Sequence, residues 1–191
     1  SKHAVDRGSI TNEDVVVISG AGTLGLGMIT YARMKNPKLL IVLDMQDGRL
    51  EKAKEFGADL VFNPGKCDID KEIKALTNDY GCDVYIEVTG HPSSVIQGLA
   101  VTRKLGRFVE FSVFGSETSV DWSIIGDRKE LGILGAHLSP YAYPFVIENM
   151  MKGNLKTDGV ASSMFKIEEW EKAFDYATGN HGDFKVAFKF D

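Results

Sequence analysis

The sequence predicts an α/β fold built on a doubly wound, parallel, six-stranded sheet, and three observations lead to that class. Short apolar runs rich in β-branched residues alternate with longer amphipathic segments. The runs lack polar alternation, which is typical of parallel strands covered by helices on both faces. The first run is followed at once by a glycine-rich turn that opens a helical pattern.

The predicted strands are the six apolar runs, and the predicted helices lie between them. The strands cover 15–18, 39–43, 60–62, 84–88, 108–113 and 133–137. The helices cover 24–34, 49–56, 68 to about 81, a stretch from 92 that carries Val95, Ile96 and Leu99, and 142–151. Asp68 offers an N-cap, Pro92 and Pro144 suit a first helical turn, and Gly57 suits a left-handed cap.

The last part of the chain departs from this alternation. Residues 160–191 predict strand, helix and strand, with a helical stripe formed by Ile167, Trp170, Phe174 and Ala177. We therefore expect a linker or helix over 1–14, a sheet domain over 15–157, and a separate segment over 158–191.

Composition and charge exclude several functions. The net charge is −5, and the basic residues are scattered rather than gathered in a stripe, which argues against nucleic acid. No apolar run approaches the roughly 18 residues that span a bilayer, and the N-terminus lacks the apolar core of a signal peptide. We expect no membrane partner and a cytoplasmic protein.

The cysteines and histidines carry no metal-binding pattern. Cys67 and Cys82 form no CxxC pair, and we interpret both as structural thiols in a reducing compartment. The histidines lie far apart in the sequence, at His3, His91, His137 and His181. We therefore predict no metal site and no catalytic residue within this chain.

The glycine-rich turn fits the dinucleotide fingerprint GxGxxG between a strand and a helix. Gly20 would allow the tight turn, Gly22 would let a pyrophosphate approach the backbone, and Gly25 would let helix and strand pack closely. The amides of Thr23 and Leu24 would donate to phosphate oxygens at the helix N-terminus. The alternative is a turn that is merely rich in glycine. The fingerprint predicts a Rossmann fold that binds a dinucleotide.

Asp44 is the residue that decides between NAD and NADP. It follows the second strand about 20 residues after the fingerprint, where an acid accepts the hydroxyls of the adenosine ribose. A 2′-phosphate beside this carboxylate would be repelled, which favours NAD. Arg49 keeps the alternative open because a guanidinium can partner a 2′-phosphate. Asp44 could instead be a solvated helix N-cap.

Ligands of doubly wound sheets bind at the carboxyl ends of the strands, which nominates two further stretches. They are Val88 to Gly90 and Ser112 to Phe114. In a regular strand, Glu87 would point to the other side. Ordinary loop residues are the alternative interpretation of these positions.

Four runs together resemble the zinc-dependent medium-chain dehydrogenase/reductase family, nearest its polyol branch of sorbitol, threonine and erythritol or threitol dehydrogenases. These runs are VVVISGAGTLGLG, LIVLDMQDGRLEKAKEFGAD, DVYIEVTGHPSSV and GRFVEFSVFG. The resemblance implies a longer protein with a GroES-like catalytic domain. Its zinc ligands would precede Ser1, and 158–191 would cross back to that domain. This last segment would either fold back on the sheet or be mobile.

The resemblance also implies positions for the cofactor. It places Gly20, Gly22, Thr23, Leu24 and Gly25 on the pyrophosphate, Asp44 on the ribose, and Arg49 and Thr89 near the adenosine. It places Ser112, Val113 and Phe114 near the nicotinamide, with Leu134 and Gly135 beside its carboxamide. It further implies a homodimer through the edge strand 133–137, since an exposed apolar edge needs a partner.

Two functions from different classes follow. In the first, the chain is the NAD-binding part of a dehydrogenase that moves a hydride between NAD and a secondary alcohol or polyol, with zinc polarising the alcohol. Alone, such a chain would bind NAD and turn over nothing. In the second, the chain is a non-catalytic module that senses NADH. The segment 158–191 favours the first, because it makes sense beside a second domain.

Overall fold

The computed structural model describes residues 1–179 and 184–190 and confirms the predicted fold class. The parallel sheet holds β1 (Val15–Ser19), β2 (Leu39–Leu43), β3 (Leu60–Phe62), β4 (Cys82–Glu87), β5 (Thr102–Glu110) and β6 (Gly132–Gly135). Their order is β3-β2-β1-β4-β5-β6, and all neighbours are parallel. The order reverses between β1 and β4, so the loops that follow these strands part and leave a crevice.

Helices cover both faces of this sheet. They are α1 (Lys2–Arg7), α2 (Thr23–Met34), α3 (Asp47–Glu55), α4 (Ile69–Leu76), α5 (Pro92–Val101) and α6 (Tyr143–Met151). One core joins α1, α2 and α3 to strand residues such as Val16, Ile18 and Ile86, all fully buried. A second core joins α4 and α5 to the opposite face, through Val17 and Tyr85. This alternation of inward residues explains why the strand runs are apolar on both faces.

Two elements differ most from the sequence prediction, one helix at its end and one strand at both ends. The helix predicted to end near Gly81 ends at Leu76, because the Thr77 hydroxyl donates to the Ile73 carbonyl at 2.7 Å and Asn78 and Asp79 adopt positive φ. The fifth strand begins at Thr102 rather than 108 and ends at Glu110 rather than 113. It ends there because its neighbour β4 ends at Glu87, the register partner of Glu110.

The C-terminal segment contains the predicted strand, helix and strand, here β7 (Ser163–Lys166), α7 (Trp170–Thr178) and β8 (Val186–Lys189). The predicted apolar stripe is not the buried face. Trp170 and Phe174 are 53% and 63% exposed, whereas Ala173 is buried. The reason is that α7 packs on its own two-stranded sheet β7-β8.

This segment folds back on the sheet domain at two points. Just before the segment, Leu155 is buried in the core and the backbone amide of Lys156 donates to the Thr30 hydroxyl at 3.0 Å, and Val160 within the segment packs on the same core. Phe184 packs on the same core, and its carbonyl accepts the hydroxyl of Thr23. Of the two expectations for 158–191, folding back therefore describes both ends of the segment.

Both cysteines are free thiols, and their surroundings support a structural role. Burial raises the pKa of the Cys82 thiol to about 12, so the reactive thiolate is absent near neutral pH. Burial also raises the pKa of Cys67. Within residues 1–179 and 184–190, no helix is long and apolar enough to cross a membrane.

Lys129 closes the C-terminus of α5, and its removal gives a direct test of the packing. Its ammonium group donates to the carbonyls of Leu99, Ala100 and Thr102 at 2.9, 2.5 and 2.7 Å. Lys129→Met should lower the free energy of unfolding by about 2 kcal/mol, because these carbonyls lose a charged donor. Urea denaturation measures the change. Lys71→Met, at a side chain 83% exposed, is the matched control, and an equal loss in both variants would contradict this role.

Candidate dinucleotide-binding site

A cleft of about 620 Å³ opens at the carboxyl edge of the sheet where the strand order reverses. It lies between the loops that follow β1, β2 and β4. Six of the residues predicted from the sequence line it together: Gly20, Gly22, Asp44, Arg49, Val88 and Thr89. The glycine fingerprint, the carboxylate of Asp44 and the end of the fourth strand therefore line the same cleft.

The glycine turn at the base of the cleft depends on the absence of side chains at two positions. Gly20 has a φ of +113°, and a Cβ there would lie 3.1 Å from Val88. A Cβ on Gly25 would lie 2.0 Å from the carbonyl oxygen of Gly20, so only glycine lets α2 approach β1 this closely. Gly22 is the N-cap of α2, and Thr23 and Leu24 form its first turn. The first amides of a helix have no acceptor within the helix, and this helix begins at the glycine turn, which is the arrangement that anion binding uses.

Asp44 is fixed by two backbone amides. Its Oδ2 accepts from the amide of Ala21 at 2.8 Å, and its Oδ1 accepts from the amide of Gln46 at 2.8 Å. The N-cap of α3 is Gln46, so the alternative of Asp44 as a helix N-cap is wrong. The carboxylate instead joins the glycine turn to the end of β2 and keeps further lone pairs for a ligand.

Arg49 reaches the same cleft from α3. Its Nη1 lies 3.9 Å from the position that a Cβ on Gly22 would occupy. Its Nε is buried and has no hydrogen-bond partner among the described residues. A buried donor without a partner is costly unless a ligand satisfies it. The guanidinium is therefore available to an anion or to a flat ring entering the cleft.

The loop after β4 is held in place by the buried carboxylate of Glu87. Glu87 is fully buried, and its carboxylate accepts from the amide and hydroxyl of Thr89 at 2.8 and 2.5 Å and from the Gly90 amide at 3.2 Å. As expected for a residue that alternates with Val88, Glu87 does not line the cleft, and its carboxylate instead fixes the backbone of the loop. The signal that could have found this role is an acid two residues before Thr-Gly.

The other predicted site residues lie outside this cleft. Thr23, Leu24 and Gly25 are the first three residues of α2, directly after the glycine turn. Ser112, Val113 and Phe114 follow β5 at the same edge of the sheet, and Leu134 and Gly135 end β6. The Val113 carbonyl would lie 2.6 Å from a Cβ on Gly90, so the loops after β4 and β5 touch. The edge thus continues from the cleft towards β6.

Two groups of residues that line the cleft were not predicted from the sequence. His91, Ser93, Ser94 and Gln97 of the α5 region line the cleft, as do Met45 and Pro64. No motif marks them, because their place depends on how α5 packs beside β4. Within residues 1–179 and 184–190, no three His, Cys, Asp or Glu side chains converge to hold a metal ion. The described residues therefore do not fit a zinc site.

Comparison with known proteins gives a consistent result. Residues 23–152 match the family model described as zinc-binding dehydrogenase. An erythritol/L-threitol dehydrogenase of Mycolicibacterium smegmatis is 49% identical over 98% of this chain and 52% of its own length. A sorbitol dehydrogenase of Halalkalibacterium halodurans is 30% identical over 90% of this chain and 51% of its own.

Solved structures agree on the fold. A short chain alcohol dehydrogenase from E. coli CFT073, complexed with NADH, is 26% identical with a TM-score of 0.87, over 98% of this chain and 56% of its own. L-idonate 5-dehydrogenase of E. coli K-12 is 26% identical with a TM-score of 0.90, over 99% and 54%. The chain spans about half the length of the curated relatives it matches. The chain belongs to the zinc-binding dehydrogenase family.

Proposed function

We propose that this chain is the NAD(H)-binding part of a zinc-dependent alcohol or polyol dehydrogenase. One observation carries the proposal: the glycine turn, the amide-fixed carboxylate of Asp44 and the unpartnered guanidinium of Arg49 face one cleft. A dinucleotide supplies what each group lacks, namely a pyrophosphate, a ribose diol and a purine. The relative solved with NADH and the relative that acts on erythritol and threitol support this reading.

Each part of the site would have a separate task. Gly20, Gly22 and Gly25, with the amides of Thr23 and Leu24, would bind the pyrophosphate. Asp44 would accept the ribose hydroxyls, with Arg49 and Thr89 near the adenosine. Ser112, Val113 and Phe114 would border the nicotinamide, and Leu134 and Gly135 its carboxamide. The bound cofactor supplies the hydride chemistry, while these residues bind and orient it.

The substrate and the zinc belong to the part of the relatives that this chain does not span. We propose that the longer protein oxidises a secondary alcohol or polyol, and that the chain alone binds cofactor without turnover. In this division 1–14 precedes the sheet domain of 15–157, and 158–191 leads towards the catalytic domain. The two free thiols suit a reducing cytoplasm.

Titration of the chain with NADH tests the proposal. We expect one NADH bound per chain, seen as energy transfer from tryptophan to the reduced nicotinamide or as heat in calorimetry. Adenosine diphosphate ribose should compete, because it carries the ribose and pyrophosphate that the cleft would bind. A chain that neither binds NADH nor gives heat with adenosine diphosphate ribose would refute the proposed function.

The free edge of β6 is the proposed dimer contact. Ile133 is 42% exposed on this four-residue strand, whose inner side pairs with β5. Arg7 Nε already donates to the Gly135 carbonyl at 3.0 Å, and a symmetry-related copy would satisfy other outer backbone groups of the strand and cover this side chain. Sedimentation should give twice the 21.0 kDa mass of the chain, and Ile133→Lys should give monomers. A wild-type chain that sediments as a monomer at micromolar concentration would contradict this contact.

A further inference from the structure

Two carboxyl groups lie side by side at the carboxyl edge of the sheet. Glu87 ends β4, Glu110 ends β5, and the two residues are register partners. Two residues earlier in the same register, the rings of Tyr85 and Phe108 stack with their centroids 5.5 Å apart. Because side chains alternate along a strand, Glu87 and Glu110 point to the same face of the sheet as these rings. Neighbouring strands lie about 4.8 Å apart, so the two carboxyl groups repel each other when both are charged.

The two carboxyl groups are satisfied to different degrees. Glu87 accepts from the amide and hydroxyl of Thr89 and from the amide of Gly90. Glu110 is half-buried, and its Oε1 is buried without a hydrogen-bond partner among the described residues. A buried acceptor without a donor is costly, and more so when it is charged. A proton on Glu110 would remove the charge and make the carboxyl a donor.

The charge of Glu87 is the one charge of the described chain that acts on Glu110. Burial, above all, raises the pKa of Glu110, the charge of Glu87 adds to this, and the backbone amide of Ser112 acts against it. On the same face, Tyr85 keeps its proton because burial raises the pKa of its hydroxyl. Arg107 alternates to the opposite face, where its guanidinium is already paired. The neutral form of Glu110 is therefore favoured by its surroundings.

The other elements around this face bring no cation to Glu110. Neither α5 nor β6 carries a charged side chain. The ring of His91, at the start of α5, is exposed and bonded to Ser93. In the stretch between β5 and β6, Arg128 pairs with an aspartate and Lys129 is bound at the far end of α5. Protonation is thus the available way to neutralise this carboxyl.

Both carboxyl groups lie beneath the loops that would border the cofactor. The carbonyl of Glu87 accepts from the amide of Phe111 at 3.2 Å, directly after Glu110. The side chain of Glu87 holds Gly90, and a Cβ on Gly90 would lie 2.6 Å from the carbonyl oxygen of Val113. A change of charge at Glu110 therefore acts on Glu87 and, through Glu87, on the contact between the two loops.

We propose that Glu110 is a positioning residue for the nicotinamide side of the cleft and that it acts in its neutral, protonated form. With Glu110 protonated, Glu87 holds Thr89 and Gly90 without an opposing charge, and Ser112 to Phe114 keep their place beside them. With Glu110 ionised, repulsion between the two carboxylates loosens both loops. Solvent supplies the proton. This inference rests on the proposed function, since these loops would border the bound cofactor.

NADH titrations between about pH 6 and about pH 9 test the role of Glu110. The affinity of the wild-type chain for NADH should fall at least about fivefold as pH rises through this range, the low end for a buried carboxylate without a partner. Because affinity then falls as protons are lost, NADH binding should take up a fraction of a proton near neutral pH. Calorimetry in two buffers of different ionisation enthalpy measures this uptake.

Glu110→Gln copies the shape of the neutral carboxyl and cannot titrate. At the upper end of the pH range it should bind NADH as tightly as the wild-type chain does at the lower end, without proton uptake. Glu110→Met also cannot titrate and should lose the pH profile too, which keeps the comparison decisive if glutamine prevents folding. Glu117→Gln removes an exposed carboxyl from the same loop and should keep the wild-type profile.

The outcomes separate the two proposals. NADH bound with equal affinity across the pH range, and without proton uptake, overturns the role of Glu110 and leaves the proposed function intact. A pH profile that survives in a folded Glu110 variant overturns that role as well, because another group such as His91 would then carry the titration. Failure of the wild-type chain to bind NADH at any pH overturns both proposals.

Discussion

Gly25→Ala is expected to destabilise the fold and abolish NADH binding at the same time. The added Cβ would lie 2.0 Å from the carbonyl oxygen of Gly20 and 2.9 Å from its carbonyl carbon. Both are backbone atoms of the turn, so no side-chain rotation relieves the clash, and α2 must move away from β1. We expect a loss of about 3 kcal/mol in the free energy of unfolding, the upper end for overpacking. Urea denaturation and NADH titration measure the two effects.

Gly22→Ala is the matched variant that separates binding from folding. A Cβ there meets only Arg49 Nη1, at 3.9 Å, and Gly22 has an ordinary φ of −72°. Stability should stay within about 1 kcal/mol of wild type. NADH affinity should fall at least about tenfold, because the methyl group lies where the pyrophosphate approaches the backbone. Wild-type affinity in Gly22→Ala would show that the pyrophosphate binds elsewhere.

Gly48→Ala completes this comparison. Gly48 lies in α3, and a Cβ there meets nothing within 4 Å. Alanine is the better helix former, so stability should rise by about 0.5 to 1 kcal/mol with NADH binding unchanged. If Gly25→Ala proved as stable as Gly48→Ala, the close packing of α2 on the glycine turn would be refuted.

Asp44→Asn is expected to weaken NADH binding by about tenfold or more and to erase discrimination against NADPH. The carboxylate would accept the ribose diol, and its charge would repel a 2′-phosphate. Asparagine keeps one acceptor for the amides of Ala21 and Gln46 but turns an NH₂ group towards the other. Part of the loss will therefore come from the glycine turn itself, at about 1 kcal/mol.

Arg49→Gln in the Asp44→Asn background isolates the charge contribution. With Asp44 neutralised, the free guanidinium of Arg49 should attract the 2′-phosphate, and its removal should weaken NADPH more than NADH. Titration of the single and double variants with both cofactors gives the coupling between these residues. An unchanged ratio of NADH to NADPH affinity in Asp44→Asn would refute the role given to Asp44.

The sheet was predictable because each strand is a buried apolar run, whereas its limits depend on partners. β2 follows the prediction residue for residue. The fifth strand does not, since pairing with β4 rather than local apolarity decides where it starts and stops. The apolar stripe on α7 also shows that local pattern does not determine tertiary packing. Its spacing predicted a helix correctly, but periodicity cannot tell which neighbour the helix packs on, and Ala173 faces it instead.

The site divides in the same way. Gly20, Gly22 and Asp44 were predictable because the fingerprint fixes their spacing around one strand and one helix. Glu87, His91 and Gln97 were not, because each acts through a loop or helix folded against β4. The free Nε of Arg49 is likewise a tertiary property. Sequence spacing locates the backbone of the cleft, and packing decides which side chains complete it.

Competitive titration of the wild-type chain with NADH and NADPH measures whether the Asp44 carboxylate selects the cofactor. Trp122 and Trp170 are exposed, so energy transfer to the reduced nicotinamide can report binding of either cofactor. We predict that NADH binds at least about tenfold more tightly, a difference of about 1.4 kcal/mol, because of the Asp44 carboxylate. Equal affinity for the two cofactors would contradict the account, since Arg49 would then override Asp44 in the cleft.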